Sequence, residues 1–145
     1  MKIYLAYPIS GVKMEEILSY YESMKKALSP YYEVLTPFLD EVRNSDKYRE
    51  NFYMMPTATN HAIYERDKFL VQQADIVYAN LVNATERVSI GAVMELAWGS
   101  LLGKHTIVAM HKENIHRHAF IMETADIVFD FHVDALQYLK VFGSR

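Results

Sequence analysis

Short apolar segments alternate with longer segments of helical period along this chain of 145 residues. Apolar runs rich in Ile, Val, Leu and Tyr predict buried β-strands. Five such runs occur, at Lys2 to Ala6, Tyr32 to Thr36, Asp75 to Asn80, His105 to Met110 and Ile127 to Phe131.

The segments between the strands carry apolar residues three and four positions apart, which is the spacing of one helix face. They predict helices from Met14 to Leu28, from an Asn60 N-cap to about Gln73, from about Ile90 to Leu102, and from Val133 to Phe142. Gly103 and Lys104 close the third helix, as glycine and basic residues commonly do.

Strands that alternate with helices predict an α/β protein with a parallel sheet covered on both faces. The expected fold is a doubly wound, five-stranded, flavodoxin/Rossmann-like domain spanning residues 1–145. Such sheets bind ligands at the carboxyl ends of their strands. The stretch from Phe38 to Thr59 has no sustained period, and a loop or an active-site flap is expected there.

Composition narrows the class of partner and chemistry. The formal net charge of -3 argues against a nucleic-acid polymer or an anionic membrane surface as partner. The absence of cysteine excludes thiolate nucleophiles and Cys-ligated zinc. The first residues lack the apolar length of a signal peptide, so a cytoplasmic protein is expected.

The segment after the third strand combines an anion site with an isolated carboxylate. Ser89 is the predicted N-cap of the third helix, and the free N–H groups of a helix start favour an anion such as phosphate. Glu95 lies two turns further on, between Met94 and Leu96 in an apolar segment. A carboxylate there must be paired, hydrogen-bonded or functional. An ion pair with Arg66, Arg87 or Lys104 is the structural alternative.

A second acidic group comes from the helix before the third strand. Asp67 lies three residues after Tyr64 and therefore on the same helix face, from which it can reach the crevice. Two carboxyl groups converging on one pocket are the usual arrangement for glycosyl transfer.

Several short motifs, in matching order, resemble the nucleoside 2-deoxyribosyltransferase superfamily. The similarity is closest to its nucleoside 5'-monophosphate N-glycosidases, and the serine-to-glutamate motif is its most specific part. The motifs are Tyr4 in IYLA, Ser10-Gly11, Glu65-Arg66-Asp67, Ala74 to Val77, Ser89-x-Gly91-x-x-x-Glu95-Leu96 and Gly103-Lys104.

The resemblance implies three catalytic roles. Glu95 matches a nucleophile that attacks C1' and forms a covalent glycosyl intermediate, with overall retention of configuration. Asp67 matches an aspartate that assists departure of the base, and Tyr4 matches a tyrosine that orients the nucleophile. No metal or organic cofactor is implied.

The resemblance also implies a substrate-binding set. Ser89 matches the serine that lies beside the 5'-phosphate in the hydrolases, where the transferases usually have an aspartate that holds a free hydroxyl. An aspartate would repel a phosphate, whereas a serine can donate to it. The other expected contacts, from the first loop and the helix start, are Tyr7, Ile9, Ser10, Gly11 and Gly91.

Two segments depart from the family pattern. Tyr7 stands where the family often has a small residue. Arg117-His118-Ala119-Phe120 replaces a small polar residue that enters the neighbouring subunit's site. His118 and Phe120 are the matching substrate contacts, and a homodimer or higher homo-oligomer is implied. A surface histidine is the alternative for His118, and no metal-ligand spacing links it with His111 and His116.

The sequence therefore predicts an N-glycosidase that hydrolyses a small-molecule substrate, a nucleoside 5'-monophosphate. A nucleoside 2'-deoxyribosyltransferase and a nucleotide-binding module without catalysis are the alternatives. The identity of the base, and ribose against 2'-deoxyribose, stay open. Tyr48, Phe52 and Tyr53 fall in the aperiodic stretch and are expected to close over the base.

Overall fold

The computed structural model describes residues 1–37 and 56–145. Most of the predicted flap, including Tyr48, Phe52 and Tyr53, lies outside the described residues. Its last part forms a single 3-10 turn at Pro56–Ala58. No helix within the described ranges has the length and apolarity to cross a membrane.

The five strands form one parallel sheet in the order β2-β1-β3-β4-β5. Their bounds are β1 Lys2–Ala6, β2 Glu33–Leu35, β3 Ile76–Asn80, β4 His105–Ala109 and β5 Ile127–Phe129. The α/β doubly wound fold predicted from the sequence is confirmed. The two edge strands, β2 and β5, are shorter than their apolar runs because each pairs with only one neighbour.

Five α-helices of the described residues flank the sheet. They are α1 Met14–Leu28, α2 Asn60–Gln73, α3 Ile90–Leu101, α4 Ala119–Thr124 and α5 His132–Gly143. The sequence predicted four of these. The six-residue α4 was missed because a helix this short buries only Ile121 and has no period to detect.

The faces of the sheet follow from the alternation of side chains along β1. Ile3 and Leu5 pack with α1 and α5 on one face of the sheet. Tyr4 and Ala6 point to the opposite face, which α2, α3 and α4 cover. Tyr4 is thereby directed toward the two helices that carry the predicted carboxylates.

The cap of α2 differs from the prediction by one residue. Thr59, not Asn60, is the N-cap, because its backbone is extended and its hydroxyl accepts a hydrogen bond from the Ala62 N–H at 3.1 Å. Asn60 is the first helical residue. At the end of α3, Gly103 adopts φ +68, a left-handed conformation that glycine accepts without steric cost.

Helix α3 lies unusually close to the sheet at Gly99. A β-carbon there would be 2.8 Å from Val77 Cγ2 and 3.2 Å from Thr106 Cγ2. The glycine therefore sets the distance between α3 and the strands beneath it. The same helix carries a second glycine, Gly91, whose β-carbon position has open space around it.

Replacing Gly99 by alanine is expected to destabilise the protein by about 1–3 kcal/mol, since the added methyl group overpacks a buried contact. Gly91→Ala, on the same helix, is the matched control. It should be neutral or stabilising by up to about 1 kcal/mol, since alanine favours helix over glycine. Urea denaturation of both variants measures the difference. Equal stability of the two would contradict this account of Gly99.

Candidate active site

The site lies where the strand order reverses. The chain leaves β1 toward β2 on one side, and β3 lies on the other side of β1. The loops that follow β1 and β3 therefore diverge and leave a crevice at the carboxyl ends of these strands. The loop after β1 contains Ser10 and Gly11, and the loop after β3 leads to Ser89 at the start of α3.

Tyr4 and Glu95 meet through a buried hydrogen bond. The Tyr4 hydroxyl donates to Glu95 Oε1 at 2.8 Å. Tyr4 is fully buried and Glu95 is 8% exposed. Among the described residues Glu95 forms no ion pair with Arg66, Arg87 or Lys104, so the structural alternative considered for it is wrong. The neutral phenol satisfies one carboxylate oxygen without neutralising its charge.

Asp67 is the second buried carboxylate of the site. It is 8% exposed on α2, which packs against α3. Arg66 Nε lies 3.5 Å from Asp67 Oδ1, and within residues 1–37 and 56–145 neither atom has a hydrogen-bond partner. Arg66 also donates through Nη1 to the Thr57 carbonyl at 3.3 Å. The arginine therefore offsets part of the charge of Asp67 without donating a hydrogen bond to its Oδ1.

Burial raises the pKa values of both carboxyl groups. Loss of hydration raises the pKa of Glu95 to about 8, and the nearby Asp67 charge adds to this, while the Tyr4 hydrogen bond acts in the opposite direction. Loss of hydration also raises the pKa of Asp67 to about 6, against the lowering effect of Arg66. Between these values the pair holds one proton, which either carboxyl group can carry.

The two carboxyl groups face a cavity of about 220 Å³, here called the inner compartment. The residues that line only this compartment are Ile9, Pro37, Ile63, Arg66, Asp67, Gly91, Ala92 and Glu95. Its walls combine apolar side chains with a few convergent polar groups, as small-molecule sites usually do.

A second cavity of about 220 Å³ adjoins the first and is here called the outer compartment. Tyr7, Ser10 and Ser89 line both compartments and form the boundary between them. The residues that line only the outer compartment are Pro8, Gly11, Val12, Asn83, Ala84, Thr85, Glu86 and Arg87. The structure thus brings together six of the eight residues expected to bind the substrate, which are Tyr7, Ile9, Ser10, Gly11, Ser89 and Gly91, with Glu95 and Asp67 at one end.

Ser89 is the N-cap of α3, as predicted, but within the described residues its hydroxyl does not cap the helix. Its backbone N–H instead donates to His116 Nε2 at 2.8 Å. His116 is buried, which lowers its pKa, and its Nδ1 lies 2.8 Å from Asn114 Oδ1. The Ser89 N–H can only donate, so His116 Nε2 must accept and carries no proton. His116 is therefore the neutral tautomer with its proton on Nδ1, which donates to Asn114 Oδ1.

Asn114 completes this bridge between the loops after β3 and β4. Its side-chain amide donates to the Leu81 carbonyl at 2.9 Å. In the sequence His116 has no feature that sets it apart from the other histidines, so sequence reasoning missed its role in fixing the backbone of Ser89. Its partner lies 27 residues away along the chain, so no sequence pattern reports it.

Tyr7, which departs from the family pattern, is half-buried at the boundary of the two compartments. Its ring stacks on Tyr20 with centroids 3.8 Å apart. The stacking holds the Tyr7 side chain against α1, at the boundary that it lines with Ser10 and Ser89. Tyr64, expected near Asp67, instead packs edge-on against Trp98 with a centroid distance of 5.2 Å.

His118 and Phe120 lie outside both compartments of the single chain. The His118 ring accepts from the Phe120 N–H at 3.2 Å and so caps α4, while Phe120 is 79% exposed. Their expected entry into a neighbouring subunit's site stays a prediction. In residues 1–37 and 56–145 no three potential metal-ligating side chains come together.

Comparison with known proteins identifies structural relatives. No protein-family model and no curated protein sequence matches the chain. Among solved structures, the fold is similar to that of the CMP N-glycosidase BcmB from Clostridium botulinum. The TM-score is 0.59 at 16% identity, over 97% of this chain and 99% of that chain. At this identity the likeness is one of fold.

A signal receiver domain from Vibrio parahaemolyticus also matches, over 98% of this chain and 88% of that chain. Its TM-score is 0.48 and its identity is 9%.

The raised pKa of Glu95 makes stability depend on pH. Native Glu95 keeps its proton to about pH 8, whereas the unfolded chain releases it near the ordinary value of 4.5. The native state binds more protons in this window, so its stability falls as pH rises. Glu95→Gln removes this effect. The wild type loses stability as pH rises and the variant does not. The free energy of unfolding of the variant minus that of wild type should therefore grow by up to about 1.4 kcal/mol per pH unit between pH 5 and 8.

Urea denaturation at several pH values measures this difference. Glu22→Gln, which alters an exposed glutamate on α1, is the matched control and should show no such trend. A constant difference between Glu95→Gln and wild type across the window would contradict a buried, protonated Glu95.

Proposed function

We propose that this protein is an N-glycosidase that hydrolyses the bond between base and sugar in a nucleoside 5'-monophosphate. The observation that carries the proposal is the buried Glu95 carboxyl group, hydrogen-bonded by Tyr4 and facing a compartment that it shares with Asp67. The fold likeness to a CMP N-glycosidase supports the same class of reaction.

In the proposed mechanism ionised Glu95 is the nucleophile. Its carboxylate forms a bond to C1' as the bond from C1' to the base nitrogen breaks, and the base leaves with the electron pair. Asp67 gives its proton to the departing base. Water then attacks C1', with Asp67 accepting its proton, and releases the sugar 5-phosphate and the Glu95 carboxylate. Two displacements at C1' retain its configuration.

The neighbours of Glu95 suit this role. The Tyr4 hydroxyl at 2.8 Å fixes one carboxylate oxygen and leaves the other for C1'. The hydrogen bond also stabilises the charged form, which burial disfavours. A buried carboxylate with few donors is a stronger nucleophile than a hydrated one, and its negative charge stabilises an oxocarbenium-like centre.

In the proposed complex, the 5'-phosphate of the substrate lies at the boundary of the two compartments. Ser10 and Ser89 line both, and the Ser89 hydroxyl makes no cap bond within the described residues. A serine there donates to a phosphate, whereas an aspartate would repel it. This favours a nucleotide over a nucleoside as substrate.

Substitution of Glu95 by glutamine tests the nucleophile. It keeps the side-chain volume and an oxygen that accepts from Tyr4, but it removes the attacking charge. Release of free base from a panel of ribo- and deoxyribonucleoside monophosphates, CMP included, should fall by roughly 10³-fold or more. Glu22→Gln is the control. Retained hydrolysis of every nucleotide that wild type cleaves would overturn the assignment.

Two further outcomes separate the alternatives. Incubating a deoxynucleoside with a different free base yields a new nucleoside if the protein is a transferase, whereas a hydrolase yields free sugar or sugar phosphate. Nucleotide binding without turnover would instead favour a binding module.

The covalent intermediate has its own test. Acid quenching during turnover, followed by mass spectrometry, should detect a sugar phosphate attached to the peptide that contains Glu95.

The pH profile tests the roles of the two carboxyl groups together. The active form has Glu95 ionised and Asp67 protonated, so kcat/KM should be largest between about pH 6 and pH 8. Asp67→Asn removes the negative neighbour, which lowers the pKa of Glu95 and abolishes the alkaline limb. The alkaline limb is diagnostic because the substrate phosphate itself ionises near pH 6. An unchanged alkaline limb in the variant would assign it to another group.

A further inference from the structure

The outer compartment contains a cation that the proposed mechanism does not use. Arg87 lies in the loop between β3 and α3, is exposed, and lines only the outer compartment. Among the described residues it forms no ion pair, whereas Arg66 and Arg117 both pair with carboxylates. From the sequence, Arg87 is expected only as an ion-pair partner of Glu95.

The Arg87 guanidinium packs against Gly11. A β-carbon on Gly11 would lie 3.4 Å from Arg87 Cζ, 3.5 Å from Nη1 and 3.6 Å from Nη2. Since Cζ is the nearest of the three, the guanidinium turns its flat face toward Gly11. Its N–H groups lie in the plane of that group and point sideways, where they can donate to a ligand.

The backbone conformation of Gly11 favours glycine at this contact with Arg87. Its φ of +81 is a left-handed conformation that side-chain-bearing residues rarely adopt. A side chain at this position would be strained and would lie in contact with the guanidinium. The loop after β1 and the loop after β3 therefore meet at Gly11 and Arg87, one residue from Ser10 and two residues from Ser89.

We infer that Arg87 is a further phosphate-binding residue, specific to this chain, which contacts the phosphate from the outer compartment; the inference rests on the proposed function. A planar guanidinium binds two phosphate oxygens at once, which a lysine cannot do. The phosphate lies between the hydroxyls of Ser10 and Ser89 on the inner side and Arg87 on the outer side.

Glu86 is the other charged residue that lines only the outer compartment, so the formal charges of Glu86 and Arg87 cancel there. One phosphate group can contact Arg87 and the two serines, whereas a second phosphate would add negative charge beside Glu86. From this charge balance we expect the site to prefer a monophosphate to a diphosphate.

Binding of ribose 5-phosphate tests Arg87 without depending on turnover or on the identity of the base. Calorimetry with Arg87→Gln should show about 10- to 100-fold weaker binding than wild type, since a charge-assisted hydrogen bond is lost. Arg87→Lys should lie between the two because it keeps the charge but not the planar fork. Lys26→Gln, an exposed lysine on α1, controls for long-range charge and should bind as wild type does.

Equal binding of ribose 5-phosphate by wild type and Arg87→Gln, with both melting at the same temperature, overturns the inference. So does an absence of binding by wild type. Failure of the proposed function is a separate result: no base is released from any nucleotide, yet binding of the sugar phosphate still depends on Arg87. In active enzyme, Arg87→Gln should raise KM for the monophosphate more than it lowers kcat.

Competition by inorganic phosphate and pyrophosphate tests Glu86. Wild type should bind phosphate in preference to pyrophosphate at this site, and Glu86→Gln should reduce that preference by several-fold. An unchanged ratio of the two affinities would show that Glu86 has no part in the selection.

Discussion

The buried carboxyl group of Glu95 is the constraint on which the rest of the site depends. A carboxylate removed from water requires a donor, and β1 supplies the Tyr4 hydroxyl from the opposite side of the crevice. This contact forms only if Tyr4 faces α3 and if α3 lies close to the sheet. The alternation of side chains along β1 ensures the first condition, and Gly99 permits the second.

The charges of the site also orient a ligand. Glu95 and Asp67 make the inner compartment acidic, and Arg66 offsets only part of that charge, so a phosphate is repelled from it. The outer compartment is lined by Arg87, by Glu86, whose formal charge cancels that of Arg87, and by Ser89, so its net formal charge is near zero. We therefore expect a molecule with one anionic end to bind with that end outward and its neutral end beside the carboxyl groups. Orientation of this kind requires no contact that recognises a particular base.

The sequence predicts most of the fold, because parallel strands buried on both faces are continuous apolar runs and helices between them show a regular period. The positions of Ser89 and Glu95 follow from the same logic, since both are counted along one helix. Sequence reasoning missed two contacts between distant segments. They are the packing of Arg87 on Gly11 and the hydrogen bond from the Ser89 N–H to His116. Neither residue type nor spacing signals such a contact. The short helix α4 was missed for lack of a period, and the α2 cap was placed at Asn60 because asparagine and threonine are both good caps.

The bridge from His116 also decides which groups of Ser89 can serve a ligand. Its backbone N–H is already donated to His116, and its carbonyl accepts from Val93 within α3. The hydroxyl makes no cap bond among the described residues, which leaves N–H groups at the start of α3 without that partner. A serine at an N-cap usually stabilises its own helix. Here that stabilising bond is absent among the described residues, and Ser89 lines both compartments. We expect an anion bound there to compensate for the missing cap bond, since it can accept from the hydroxyl and from the helix start.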